Sequence, residues 1–264
     1  MHALKHDSLS ARFLERYAVP QSVEERRRWV QAALTVRSPG NLPSNLLDAT
    51  DRLLQHELSK KTVTDSEALQ RLGGGSNVSG RISIWDGDTT TLRVDAITNA
   101  ANSELLGCFQ PFHACIDNVI NCAAGPQLRE DCHRIMQLQG HGEVTGVAKI
   151  TRAHNLPSRY VLHTVGPIVQ SGSRLTTRQE TQLADCYQSC LSLASEAGAR
   201  SVALCGISTG VFGYPAQAAT KIALATVIDW VGRNPNGLSH VIFNTFGDAA
   251  TRIYEQEARQ WELL

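Results

Sequence analysis

The chain predicts an α/β layered domain with a mostly parallel or mixed central sheet and a helical N-terminal extension. Three observations carry this expectation. From Arg81 onward, short β-rich runs alternate with helical ones, the order that places a sheet between helices. Residues 1 to about 75 differ, being rich in charge and helix formers. The segment GGGSNVSG, 73–80, reads as a flexible or turn-forming connector between them. The expected division is an extension over 1–75 and the main domain over 76–264.

In the extension, Ser22 followed by Glu25 has capping-box spacing, and Trp29, Val30, Ala33 and Leu34 form a helical apolar stripe. SPGNLPSN, 38–45, breaks that helix, and Leu46, Leu47, Leu53, Leu54 and Leu58 mark a second. Beyond the connector, strands are expected at 82–85, 95–100, 147–151, 160–165, 201–207 and 240–246. Helices are expected near 115–137, 175–198, 215–233 and 248–262. Cys186 and Cys190 lie one helical turn apart and read as small apolar residues on a buried face, and His163 as a satisfied core histidine.

Lys+Arg and Asp+Glu are both 25, so a near-zero net charge gives no support for a broad nucleic-acid or membrane footprint. No apolar run approaches the roughly 18 residues of a membrane span. The start, MHALKHDSLS, lacks the apolar core of a signal peptide. Seven cysteines include an odd one, and a core of this size needs no disulfide staples; a reducing cytoplasm is the expected compartment.

Chemistry concentrates in GCFQPFHACIDNVIN, 107–121, which sets Cys108, His113 and Cys115 within eight residues and Asp117 two residues on. Thiolate and neutral imidazole suit zinc, and three ligands without an obvious fourth resemble a catalytic site that keeps one open position. A closed structural site would need a fourth ligand, which Cys122, Cys132 or His133 is near enough in sequence to supply. GISTGVFGYP, 206–215, follows an apolar strand and precedes a helix. Its glycines let backbone N–H groups approach a diphosphate, and Ser208 and Thr209 add hydroxyls; the alternative is an ordinary tight turn. Asp88, just past a strand, could accept from an adenine amino group, and Asn99 and Asn102 could serve ribose hydroxyls; the alternative is that all three cap turns.

GDTTTLRVDAITNAANSELLG, IDNVINCAAG, LPSRYVLHTVGP and GISTGVFGYP, in this order over roughly 80–264, resemble a macrodomain of the MacroD type. The Cys108, His113, Cys115 cluster and the helical extension resemble its zinc-containing branch. The resemblance implies a three-layer α/β/α fold, ADP-ribose binding and hydrolysis of mono-ADP-ribose from acidic protein side chains. It also implies an association with sirtuin-type transferases and lipoylated carrier proteins. By the same resemblance Asp88 contacts the adenine with the Thr89 N–H nearby. Ser208, Thr209, Gly210, Val211 and Phe212 wrap the diphosphate, and Phe246 covers the adenine. Asn102 touches the distal ribose, Asp117 is catalytic, and Cys108, His113 and Cys115 hold Zn2+ beside that ribose. Asn121 stands where many such sequences have His, and CFQPFHAC replaces their usual glycine-rich segment.

The leading expectation is a zinc-dependent hydrolase acting on ADP-ribosylated protein and releasing ADP-ribose, with no membrane and no nucleic acid involved. A non-catalytic ADP-ribose reader would have a similar pocket but would need neither Asp117 nor a metal. Hydrolysis of a small ester such as O-acetyl-ADP-ribose would use the same site.

Overall fold

The computed structural model describes residues 12, 16–40, 42–73 and 78–264. The start read for a leader, 1–10, and part of the connector, 74–77, lie outside the described residues. Helices α1 (Val23–Val36) and α2 (Ser44–Leu58) precede the sheet. Ser22 caps α1, accepting the Glu25 N–H at 3.2 Å, and two acidic residues stand in that first turn. Arg27 of α1 pairs with both carboxylate oxygens of Glu57 in α2.

Five further strands and helices build the first half of the main body. These are β1 (Thr64–Asp65), β2 (Ile82–Asp86), β3 (Leu92–Arg93), β4 (Ala96–Ala100) and α3 (Ile116–Ala124). They are followed by α4 (Pro126–Gln139), β5 (Ala148–Arg152), β6 (Tyr160–Thr164) and α5 (Thr177–Glu196). The chain ends with β7 (Ser201–Leu204), α6 (Ala216–Arg233), β8 (His240–Thr245) and α7 (Asp248–Gln260). The main sheet runs β2-β8-β7-β4-β6-β5, with only β5 antiparallel to its neighbour; β1 and β3 form a separate parallel pair.

Alternation along the strands separates two cores. Ala96, Leu162, Val202 and Phe243 face α5, α6 and α7. Ile97, Val161, Ala203 and Ile242 face α3 and α4, packing on Ile120, Ala124 and Leu128. The result is the expected three-layer α/β/α arrangement around a mixed sheet. The Cys186 and Cys190 side chains lie fully buried in the first core, as their spacing suggests.

Two boundaries differ from expectation. The helix read over 115–137 is two helices, because Gly125 takes φ 92° and Pro126 opens α4. A Cβ at Gly125 would sit 3.0 Å from Leu54 of α2, so this turn is also where the extension packs closely. The strand read over 201–207 ends at Leu204. Beyond it the Cys205 N–H donates to Thr98 Oγ1 at 2.8 Å and the Ile207 N–H to Tyr187 Oη at 3.2 Å, so side chains replace a strand partner.

Two histidines are fully buried in the sheet. Burial pushes His163 down to about 4; burial, with Arg71 adding, pushes His240 down to about 3. The folded state therefore holds both rings neutral. The unfolded chain takes up protons as pH falls through about 6.5, so the stability they contribute is full above that value and declines below it. Each ring costs up to about 1.4 kcal/mol per pH unit until its folded value is reached. The urea-unfolding midpoint is expected to fall measurably from pH 7 to pH 5, and a constant midpoint would contradict the burial argument.

Candidate active site

Sheet order decides where the site lies. β8, β7 and β4 are neighbours and parallel, so the segments leaving their C-terminal ends emerge side by side on one edge. Phe246 follows β8, residues 205–212 follow β7, and Asn102 through Asp117 follow β4. Together they line one cleft of about 750 Å3, within the usual range for a small-molecule site.

The cleft brings together most of the residues singled out from the sequence. Cys108, His113, Cys115, Asp117 and Asn102 line one wall. Ser208, Thr209, Gly210, Val211 and Phe212 line another, with exposed Phe246 beyond them. Asp88 and Thr89 are absent from the lining. Asp88 caps a 3-10 turn over Thr89–Thr91, its Oδ1 accepting the Thr90 N–H at 2.9 Å and the Thr90 hydroxyl at 2.6 Å, while Oδ2 lies 3.4 Å from Lys61 Nζ. Thr89 is buried in that turn. Asn102 also works as a turn residue: Nδ2 donates to Gly107 O at 2.9 Å and Oδ1 accepts the Glu104 N–H at 3.0 Å.

The loop carrying the trio is held in a conformation that side chains resist. Leu105, Phe109 and Phe112 all have φ between 53° and 62°. Two cations brace it: the Arg129 guanidinium stacks 4.6 Å from the Phe109 ring and that of Arg28 5.1 Å from Phe112. Arg129 also donates to Leu34 O at 2.9 Å and Arg37 O at 2.6 Å, tying the loop to the end of α1.

The ligand atoms of Cys108, His113 and Cys115 lie within 4.8 Å of one another. Ligands of a tetrahedral zinc stand about 3.6–3.8 Å apart, so a closure of roughly 1 Å completes the set. His113 Nδ1 is buried without a hydrogen-bond partner. An imidazole nitrogen stranded beside two thiols fits a divalent ion of borderline softness. Burial pushes the Cys115 thiol up to about 12, with Cys108 reinforcing that direction; a coordinated cation reverses it, since a ligating thiol is deprotonated outright.

Asp117 sits in the first turn of α3 and is buried. Its Oδ1 accepts from Asn99 Nδ2 at 2.8 Å and from Asn121 Nδ2 at 3.0 Å. Burial raises its pKa, opposed by Asn99, by the positive charge of Arg129 and by Asn121. Asn121 thus acts as an uncharged donor to the acid. Asn99, read from sequence as a ribose contact, is fully buried behind Asp117 and does not reach the cleft. Inward-facing and edge-facing asparagines look alike in NAAN until the strand's facing is known.

The loop after β7 leaves several N–H donors free. Its turns are closed by Gly213 N–H to Gly210 O and Tyr214 N–H to Ser208 O, each 3.0 Å, and by Val169 N–H to Phe212 O at 2.8 Å. Among the described residues, the N–H groups of Ser208, Gly210, Val211 and Phe212 make no hydrogen bond. Ser208 takes φ 65°, and its hydroxyl is buried without a partner. Free N–H groups on a loop that lines a cleft are chemistry suited to an anion. Sequence reading missed Gly166, Asn244 and Ile253, which also line the cleft. For Gly166 a signal existed, since HTVGP follows an apolar strand as the phosphate loop does.

Residues 98–223 match the Macro domain. The chain is 47% identical over 238 residues to a protein-ADP-ribose hydrolase of Treponema medium, covering 90% of this chain and 89% of the relative. It is 41% identical over 240 residues to a protein-ADP-ribose hydrolase of Staphylococcus aureus, covering 90% and 86%. The crystal structure of a Trypanosoma brucei macrodomain in complex with ADP-ribose superposes with a TM-score of 0.64 at 31% identity, covering 94% of each chain.

Proposed function

The chain belongs to the macrodomain family, and from that membership we propose that its cleft hydrolyses mono-ADP-ribose from modified acidic side chains of proteins, with zinc held by Cys108, His113 and Cys115. The observation that carries this reading is the meeting, in one cleft, of an anion-receiving loop with a buried carboxylate and a two-thiol, one-imidazole set. A module that only recognises ADP-ribose needs the first of these and neither of the others.

The bond to be cut joins C1″ of the distal ribose to a carboxylate oxygen of the target. Water attacks C1″, the C1″–O bond breaks, and the side chain leaves as a carboxylate. Asp117 takes the proton of the attacking water through Oδ2, because Oδ1 is already held by Asn99 and Asn121. The N–H groups of Ser208, Gly210, Val211 and Phe212 bind the diphosphate, and that remote binding energy seats the ribose. Asn102 closes the turn that sets the trio beside Asp117, and we assign it a ribose contact through rearrangement of that turn. Asp88, Thr89 and Phe246 are assigned to the adenine end. When bound, zinc supplies Lewis-acid polarisation of an oxygen at the reacting end of the cleft. A lipoylated carrier protein is the macromolecular substrate we propose to test.

The test incubates zinc-loaded protein with targets mono-ADP-ribosylated at Glu/Asp or at Ser, with and without chelator, and measures released ADP-ribose. Release from the acidic linkage alone, lost on chelation and restored by zinc, is expected. Release from serine would contradict the linkage, and chelator-resistant release the metal. Tight ADP-ribose binding with no release from either target would leave a reader.

A further inference from the structure

The buried acid of the cleft has a polar chain behind it that reaches across the sheet. The parallel register of β4 and β6 sets Asn99 opposite His163, on the face covered by α3 and α4. Asn99 Nδ2 donates to Asp117 Oδ1 at 2.8 Å and lies 3.2 Å from His163 Nδ1. An amide nitrogen has two protons to give and no lone pair to offer, so Nδ1 is the acceptor. The ring proton is therefore on Nε2, which donates to Thr151 Oγ1 at 2.9 Å. Asp117, Asn99, His163 and Thr151 are all buried.

Among the described residues, Asp117 and His163 are the two partners of the Asn99 amide. Its Oδ1 is buried without a partner. Were the amide turned over, that oxygen would face the Asp117 carboxylate, setting two acceptors against each other. A buried acceptor left unsatisfied is costly, and such a group calls for an explanation beyond packing. The explanation lies in what the amide's orientation does. With Asn99 and Asn121 both donating to Oδ1, Oδ2 makes no hydrogen bond among the described residues. It is the oxygen the reaction needs.

We propose that His163 is a positioning residue for the hydrolysis: as the acceptor that fixes the Asn99 amide, it orients the Asp117 carboxylate toward the attacking water. The proposal rests on the hydrolase reading above. His163 touches no substrate and transfers no proton in the reaction. Its ring stays neutral in the fold, and neutrality keeps Nδ1 able to accept.

The test compares His163→Leu with the wild type, both zinc-loaded, and repeats the substitution in an Asp117→Ala background. His163→Leu is expected to lower kcat about 10- to 100-fold while KM and ADP-ribose affinity stay within about two-fold, the signature of a lost orienting interaction. In the Asp117→Ala background it is expected to change residual turnover by less than about two-fold, because the group it orients is gone. An unchanged kcat, or the same loss in both backgrounds, would overturn the proposal. A spectrum of 15N-histidine-labelled wild type is independent of how the variant folds. It is expected to show His163 as the Nε2–H tautomer with Nδ1 unprotonated, and an Nδ1–H tautomer would overturn the hydrogen-bond chain. A wild type that releases no ADP-ribose would defeat the hydrolase reading, whereas an active wild type with an indifferent His163→Leu variant defeats only this inference.

Discussion

Asp117→Ala is expected to lower hydrolysis by about 10²- to 10⁴-fold, the range for loss of a positioned general base. ADP-ribose affinity should stay within about ten-fold, since the diphosphate site proposed above is the loop after β7, on another wall of the cleft. The split follows from the geometry. Asp117 is buried, held through one oxygen by two asparagines, and placed in the wall that also carries Cys108, His113 and Cys115. In the proposed mechanism, removing it takes away a group used only as the bond breaks. Removing the carboxylate also relieves Asn99 and Asn121 of an acceptor, a cost that belongs to stability and is read separately by thermal unfolding. Gln127→Ala is the control. Gln127 donates to Asp51 of α2 at 2.8 Å, away from the cleft, so turnover should remain within about two-fold while stability falls by about 1 kcal/mol. Matching losses of turnover in both variants would mean that Asp117 acts through the fold and not through the reaction.

Gly166→Val is the second large effect, and it falls on the other quantity: it should remove binding. Gly166 lines the cleft where the chain leaves β6. A Cβ there would lie 2.0 Å from Ser208 Oγ and 2.7 Å from Ile207 Cγ2. The serine hydroxyl can rotate away. The Ile207 methyl cannot, because Ile207 is fully buried in the core. The loop must therefore move, and with it the free N–H groups of Ser208, Gly210, Val211 and Phe212. Those donors act as a set, so misplacing them by a fraction of an ångström weakens every contact with the diphosphate. ADP-ribose affinity, measured by calorimetry, is expected to fall by at least about 100-fold, equivalent to the loss of about two charge-assisted hydrogen bonds. Gly166→Ala should show a smaller loss of the same kind. Undiminished affinity in Gly166→Val would remove the loop from the binding account.

Much of this molecule was legible before its structure. The alternation of apolar β-rich runs with helical ones located all six strands of the main sheet, because a period of two and a period of 3.6 leave different marks. The trio was legible because its three ligands are close in sequence, so one loop brings them together. What stayed hidden has local causes. The Gly125-Pro126 break lay inside a continuous apolar pattern, although Gly-Pro is a known stop signal. The two-residue strands β1 and β3 are too short to carry a period. Asn99 and Asn102 are three residues apart, yet one ends up buried behind Asp117 and the other in the cleft wall, a difference fixed by facing and not by residue type. Asp88 read from its place after a strand either as a ligand contact or as a turn cap; its carboxylate does cap the turn and lies beside Lys61, and its adenine contact stays part of the proposal.

The proposed mechanism makes one end of the cleft a metal-bearing pole where the distal ribose is cut loose. Anomalous scattering at the zinc edge, from crystals grown with zinc and ADP-ribose, decides whether it is. A peak is expected bonded to Cys108 Sγ, His113 and Cys115 Sγ, with C1″ of the bound ribose beside it and within reach of Asp117 through one water. A nucleotide bound with its ribose at the Phe246 end, or a trio without a peak in zinc-saturated crystals, would contradict it.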